Sequence, residues 1–171
     1  MTDSALDLDE LPYLVGRAWP LGDAAGSEDL LRPRSTHPMW VGPALGSPFD
    51  TGLPPLQRSD FVVAGLEFGS GDAAAATARV LRELGVGAVI ARSFGAVFLR
   101  SALHLGLPPL QVEETEAIKM HDRLRVDIEG HKVVNLSSGD RYVIRNVYGE
   151  ALDLLRAGGL TAYLAARRAK G

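Results

Sequence analysis

The alternation of short apolar runs with helix-forming stretches over residues 61–106 constrains the fold of this chain more than any other sequence feature. An apolar, β-branched run at 61–66 ends in a glycine-rich turn and passes into alanine-rich residues, which predicts a strand and then a helix over about 73–84. A strand at 88–91 and a helix over about 95–105 follow, and Gly85 and Gly106 are expected to end the two helices. Alternation with such short links predicts parallel strands covered by helices.

The sequence on either side of this region has a different pattern of apolar residues. Residues 13–19 predict a first strand, and runs at 124–128, 132–136 and 141–144, separated by turn residues, predict an antiparallel meander. Apolar residues at helical spacing over about 149–168 predict a helical end that Gly158 and Gly159 divide into two helices. The fold class is therefore α/β with a mixed sheet.

Length and composition indicate one domain. The chain has 171 residues, of which 46% are hydrophobic and 23% charged, and this is ordinary for a globular protein. We predict a disordered acidic lead-in at 1–11 and a single domain at 12–171. A stretch at about 20–55, rich in Gly, Pro, Ser and Asp, predicts a long loop of the functional or flap-like kind.

The charge pattern excludes several classes of partner. The formal net charge is −3, and Lys and Arg are scattered, so we expect neither nucleic acid nor a membrane as a partner. An acidic start without a long apolar run predicts a cytoplasmic protein without a signal peptide. The chain has no cysteine, and its histidines lack metal-ligand spacing, so we expect it to bind no cofactor or metal itself.

The turn Gly69-Ser70-Gly71 lies where a strand passes into a helix, and such a helix start favours an anion. Asp72 follows the turn, and its first interpretation is a helix N-cap; the alternative is a catalytic carboxylate. Ser70 is interpreted first as a small turn residue, with a nucleophile or base as the alternative. Arg92 is interpreted as a surface or helix-packing arginine rather than a ligand group.

Several segments together resemble the small subunit of isopropylmalate dehydratase, the swivel domain of the aconitase superfamily. They occur in the order and spacing of that family and are 16–19, 68–71, 88–94, 98–102, 106–108 and 157–164. The resemblance implies a single swivel domain with a mixed, partly barrel-like sheet flanked by helices. It also implies a large partner subunit that carries a four-iron, four-sulfur cluster, and a small-molecule carboxylic acid as substrate.

The resemblance also implies roles for individual residues. The family motif reads Gly-Ser-Gly-Ser-Ser-Arg-Glu-His-Ala, whereas this chain has Asp72 and then four alanines after its glycine turn. Alanine offers no hydrogen bond to a carboxylate, whereas arginine offers two. The residues carried over are Ser70 and Asp72 as catalytic groups, with Gly69, Gly71, Ala73, Arg34 and Arg32 as substrate-binding groups.

Two functions of different class follow. The first is the small subunit of a hydro-lyase or isomerase that acts on a small hydroxy-carboxylic acid other than isopropylmalate, in a complex with the cluster-bearing subunit. The second is an inactive swivel domain that serves as a binding or scaffold module, which the alanines of the turn favour because alanine suits a helix that needs no side chain. A cluster-independent enzyme that reuses the cleft is a third hypothesis.

Overall fold

A computed structural model of the protein describes residues 13–21 and 56–169. The strands are β1 Leu14–Pro20, β2 Phe61–Ala64, β3 Ala88–Ala91, β4 Pro109–Gln111, β5 Arg123–Asp127, β6 Lys132–Asn135 and β7 Arg141–Val143. The α-helices are α1 Ala74–Glu83, α2 Ala96–His104, α3 Gly149–Ala157 and α4 Leu160–Ala169, and a short 3-10 helix spans Thr115–Ala117. The predicted lead-in at 1–11 and most of the predicted loop at 20–55 lie outside the described residues.

The described strands form one seven-stranded sheet in the order β4-β3-β2-β1-β5-β6-β7. Parallel pairing joins β1, β2, β3 and β4, and antiparallel pairing joins β1, β5, β6 and β7. The sheet curls into a half-barrel with helices against it. The prediction of a mixed, partly barrel-like sheet flanked by helices is confirmed.

The parallel half of the sheet is buried on both faces. Successive residues of β2 alternate between two apolar clusters: Phe61 and Val63 join the cluster that includes the meander, and Val62 and Ala64 join the cluster under α1 and α2. Burial on both faces explains why β2 and β3 are continuous apolar runs rather than alternating ones. The Asp60 side chain, at the start of β2, is a buried polar group beside this core.

Asp60 fastens β2 to β1 at the amino end of the strand. Its carboxylate accepts hydrogen bonds from the backbone N–H groups of Arg17 at 2.9 Å and Gln57 at 2.8 Å. The Arg17 guanidinium at 2.9 Å and the Trp19 indole at 3.1 Å also donate to it. Burial alone would raise the pKa of Asp60, but these hydrogen bonds outweigh burial and hold the pKa below its ordinary value.

Glycines end the helices as predicted. Gly85 and Gly106 follow α1 and α2 with φ of 80° and 71°, and Gly158 caps α3 with φ of 83°, so each reverses the chain in the left-handed region. The predicted helix and strand bounds differ from the observed ones by at most two residues. No element was predicted at β4, which begins at Pro109 in an edge position of the sheet.

Candidate functional site

The carboxyl ends of the four parallel strands lie along one edge of the sheet, because parallel strands end on the same side. Three described segments leave the sheet at this edge: the turn 65–73 after β2, the turn 92–95 after β3, and residues 112–118 after β4. Ligands of open α/β sheets bind at such an edge. It is therefore the candidate site.

The glycine turn is shaped by close packing beneath it. Phe68 is 1% exposed and contacts Phe98 edge to face, with ring centroids 5.0 Å apart. Gly69 has a φ of 74°, and a Cβ atom there would lie 2.4 Å from the Phe98 ring. Gly71 also has a positive φ, of 110°. The conformation of the turn therefore requires glycine, independently of any ligand.

Hydrogen bonds tie the two strand-to-helix turns together. The Phe68 N–H donates to the Ser93 carbonyl at 3.0 Å, and the Gly95 N–H donates to the Phe68 carbonyl at 2.9 Å. The Glu67 N–H donates to Ser93 Oγ at 2.7 Å, and Ser93 Oγ donates to Glu67 Oε1 at 3.2 Å. These bonds fix the turn 65–73 relative to the turn 92–95.

The start of α1 differs from the interpretation of Asp72 as its N-cap, which is wrong. Ala73 occupies the N-cap position, and within the described ranges no side chain accepts a capping hydrogen bond there. The chain turns at Gly71, where the Ala74 N–H donates to the Gly71 carbonyl at 3.4 Å, so the helix begins one residue later than an Asp72 cap requires. Asp72 is exposed beside this uncapped helix start.

The other site residues predicted from the sequence are distributed as follows. Ser70 and Gly71 are exposed beside Asp72, Gly69 is buried, and Ala73 is partly buried. Arg32 and Arg34 lie outside the described residues. The four alanines differ in their exposure, since Ala74 is buried against the core whereas Ala75 and Ala76 are exposed on the first turn of α1.

A cavity of about 250 Å³ lies at the same edge, where β1 and β2 end. Its lining residues are Pro20, Val63, Ala64, Gly65, Thr115, Glu116 and Ile118. The sequence reasoning missed Thr115 and Glu116, because they follow the short strand β4 that no pattern predicted. A signal was present in the acidic run Glu113-Glu114 with Glu116, which comes directly after an apolar segment.

Two arginines form ion pairs at this edge. Arg92, directly after β3, donates from a terminal guanidinium nitrogen to Glu116 Oε1 at 2.9 Å. Arg145 donates from Nε to Glu113 Oε1 at 3.0 Å. The interpretation of Arg92 as a surface or helix-packing residue omitted this pairing, which links it to a residue that lines the cavity.

Metal ligation and membrane insertion find no support in the described part of the chain. Among residues 13–21 and 56–169 no group of three or more His, Cys, Asp or Glu side chains could hold a metal ion. Across the same ranges, no helix combines the length and apolar character needed to cross a bilayer. The described residues at this edge supply carboxylates, a serine hydroxyl, arginine guanidinium groups and backbone N–H groups.

Comparisons with known proteins agree with this arrangement. Residues 55–115 match the family described as the Aconitase C-terminal domain. The chain is 36% identical over 157 residues to the 3-isopropylmalate dehydratase small subunit of Pyrobaculum islandicum, covering 90% of this chain and 98% of that protein. It is 29% identical over 154 residues to small subunit 1 of the same enzyme from Thermotoga maritima, covering 87% and 93% of the two chains.

A solved structure supports the same relationship. The crystal structure of 3-isopropylmalate dehydratase from Methanocaldococcus jannaschii is similar, with a TM-score of 0.76 and 28% sequence identity, over 91% of this chain and 95% of that one. Sequence and fold therefore agree over nearly the whole length of the relatives. The chain belongs to the family of 3-isopropylmalate dehydratase small subunits, within the aconitase superfamily.

Proposed function

We propose that this chain is the small subunit of a two-subunit dehydratase and completes an active site with a large aconitase-type subunit. The main support for the proposal is the 36% sequence identity between this chain and a small subunit, which extends over 98% of that protein's length. The four-iron, four-sulfur cluster belongs to the large subunit in this proposal. The chain itself does not suit that cluster, since it contains no cysteine to ligate iron.

The proposed substrate is a small hydroxy-carboxylic acid other than isopropylmalate. The family motif holds two serines, an arginine, a glutamate and a histidine where this chain has Asp72 to Ala76. An arginine grips a carboxylate by paired charge-assisted hydrogen bonds, whereas an aspartate repels it. The substrate group that faces this turn therefore differs from the one that the family motif is built to hold.

The proposed chemical roles belong to the turn after β2. Dehydration of a hydroxy acid requires a base that takes a proton from a carbon beside a carboxyl group. Asp72 is the proposed base, because its carboxylate is exposed and makes no capping bond to α1. Ser70 is proposed to assist in the proton transfer. The backbone at Gly69, Gly71 and Ala73, with Arg32 and Arg34 from the segment after β1, is proposed to bind the substrate.

A binding or scaffold module without catalysis is the second candidate, and one observation favours it. Ala75 and Ala76 are exposed on the first turn of α1, where a catalytic subunit would present polar side chains to its substrate. A stretch of alanine has high helix propensity and offers no polar side chain that could bind a substrate. A cluster-independent enzyme that uses the same cleft is the remaining alternative.

Co-expression with the aconitase-type large subunit of the same genome tests these proposals. The complex is assayed anaerobically with 3-isopropylmalate and with a panel of other hydroxy acids, by the ultraviolet absorbance of the unsaturated product. We expect a stable complex that dehydrates a panel acid, and a fall in kcat of about 100-fold in Asp72→Asn. A smaller fall is expected in Ser70→Ala.

The outcomes separate the candidates. A stable complex with no activity on any acid supports the scaffold function, and activity of the purified chain alone supports the cluster-independent enzyme. Turnover of 3-isopropylmalate in preference to the panel acids contradicts the proposed change of substrate. Arg141→Met, which alters an exposed side chain of β7 outside the site, is the matched control and should leave kcat unchanged.

A further inference from the structure

We propose that Arg92 binds a carboxylate group of the substrate at the cavity beside β1 and β2. When no substrate is present, the Arg92 guanidinium is paired with Glu116 instead. This inference rests on the proposed function, since it names the residue that replaces the lost arginine of the family motif. The ligand class is a small carboxylate-bearing hydroxy acid.

The position of Arg92 supports this role. Its backbone N–H donates to the carbonyl of Gly65 at 3.0 Å, and Gly65 lines the cavity. Its guanidinium contacts Glu116 at 2.9 Å, and Glu116 lines the same cavity. Thr115, also in the lining, is a buried polar residue, only 5% exposed. Arg92 is thus joined to the cavity wall at both its main chain and its side chain.

The segments on either side of Arg92 carry acidic residues, so an anionic substrate needs a cation at this position in order to bind. The ionisable residues of the turn 65–73 are Glu67 and Asp72, and those of 112–118 are Glu113, Glu114 and Glu116. All five carry negative charge, so these two segments alone would repel an anionic substrate. Arg92 comes from the turn between them and supplies the opposite charge.

The pairing of Arg92 with Glu116 leaves the arginine capable of binding a ligand. A guanidinium has five N–H donors, and only one terminal nitrogen is engaged with Glu116. The Arg92 side chain is 35% exposed and that of Glu116 is 72% exposed, so solvent reaches both and their attraction is weak. A substrate carboxylate can bind bidentately and displace the single contact that Glu116 makes.

Titration of the full chain with malate, followed by two-dimensional amide NMR, tests the inference without the large subunit. We expect malate to shift the signals of Gly65, Glu116 and the Arg92 Nε–H group. Arg92→Met should weaken binding at least about tenfold, and Arg92→Lys should recover part of it because lysine keeps the charge but not the fork. Glu116→Gln should strengthen binding by about twofold to fivefold, because it removes the competing carboxylate.

Arg145→Met is the matched control, because Arg145 forms a similar exposed pair with Glu113, which is not among the residues that line the cavity. It should leave malate binding unchanged. The opposite effects of Arg92→Met and Glu116→Gln are the signature of a binding role, since a merely structural pair would lose stability in both and change affinity in neither. The absence of malate shifts, or a loss of binding in Arg145→Met equal to that in Arg92→Met, overturns the inference.

The two levels of proposal fail independently. If malate binds through Arg92 but the complex has no dehydratase activity, the proposed function fails and the binding residue stands. If the complex is active and Arg92→Met leaves both KM and malate binding unchanged, the binding residue fails and the proposed function stands.

Discussion

Two aspartates lie on either side of β2 and have opposite surroundings. Asp60 precedes the strand, is 3% exposed and accepts hydrogen bonds from Arg17, Trp19 and Gln57. Asp72 follows the strand and its turn, is exposed and caps no helix. The comparison shows that the carboxylate before β2 is buried and held by hydrogen bonds, whereas the carboxylate after the strand and its turn is open to solvent.

Removal of the Asp60 carboxylate is expected to have the largest effect on stability. Asp60→Ala deprives the Trp19 indole and the Gln57 N–H of their acceptor and breaks the ion pair with Arg17. We expect the free energy of unfolding to fall by about 3–4 kcal/mol, because the partly buried ion pair loses its carboxylate and the N–H donors around it lose their acceptor. Urea unfolding followed by circular dichroism measures the change, and a loss below about 1 kcal/mol would show that Asp60 does not fasten β1 to β2.

In the turn next to Asp72, we expect protein stability to depend on Gly69 and not on the carboxylate of Asp72. Gly69→Ala should lower the free energy of unfolding by about 2–3 kcal/mol, because the new Cβ would meet the Phe98 ring at 2.4 Å and φ is 74°. Gly158→Ala is the control: φ is 83°, but apart from the neighbouring residues in the chain no described atom lies within 4 Å of the added Cβ. It should cost only about 1 kcal/mol. Equal losses would mean that φ alone, and not the contact with Phe98, requires glycine in the turn.

The difference between the two aspartates should also appear as a pH dependence. The pKa of Asp60 is lowered in the folded state, so its contribution to stability is present above the unfolded pKa of about 3.9 and is lost as pH falls through the folded pKa. We expect the urea concentration at the unfolding midpoint of the wild-type protein to decrease when the pH is lowered below about 4. The midpoint of Asp60→Ala should change less over the same pH range. The effect should be smaller than that of the substitution, because a protonated carboxyl group still accepts some hydrogen bonds. Parallel curves for the two proteins would contradict the lowered pKa.

The two ends of β2 also show which structural features can be predicted from the sequence. The strand at 88–91 was predicted with its observed bounds, because a continuous apolar run buried on both faces is a local signal. The bonds of Asp60 were not predicted, since Arg17 and Trp19 lie 43 and 41 residues away in the chain and meet it only through the pairing of β1 with β2. Glu116 was missed for the same reason: its partner Arg92 comes from a neighbouring strand, 24 residues earlier.

The misplaced cap at Asp72 has a different cause. The residue types fit an N-cap followed by a run of alanines, and this local pattern favoured the cap. The observed turn reverses at Gly71 with a φ of 110°, and the helix begins only at Ala74. Backbone conformation in a glycine turn depends on what packs beneath it, here Phe68 and Phe98, and that packing is not a local sequence signal.

Asp72→Asn is expected to have the smallest effect on stability, and this is what makes it informative. Because Asp72 is exposed and its side chain does not cap α1, the substitution should change the free energy of unfolding by less than about 0.5 kcal/mol. Urea unfolding of the variant and of the wild-type protein at neutral pH measures this. A loss above about 1 kcal/mol would make Asp72 a structural residue like Asp60, and a lower kcat in the complex would then report on the fold of the turn rather than on a proton acceptor. With stability unchanged, any fall in kcat belongs to the chemistry of the carboxylate, because asparagine keeps the shape of the side chain and removes only its charge and basicity.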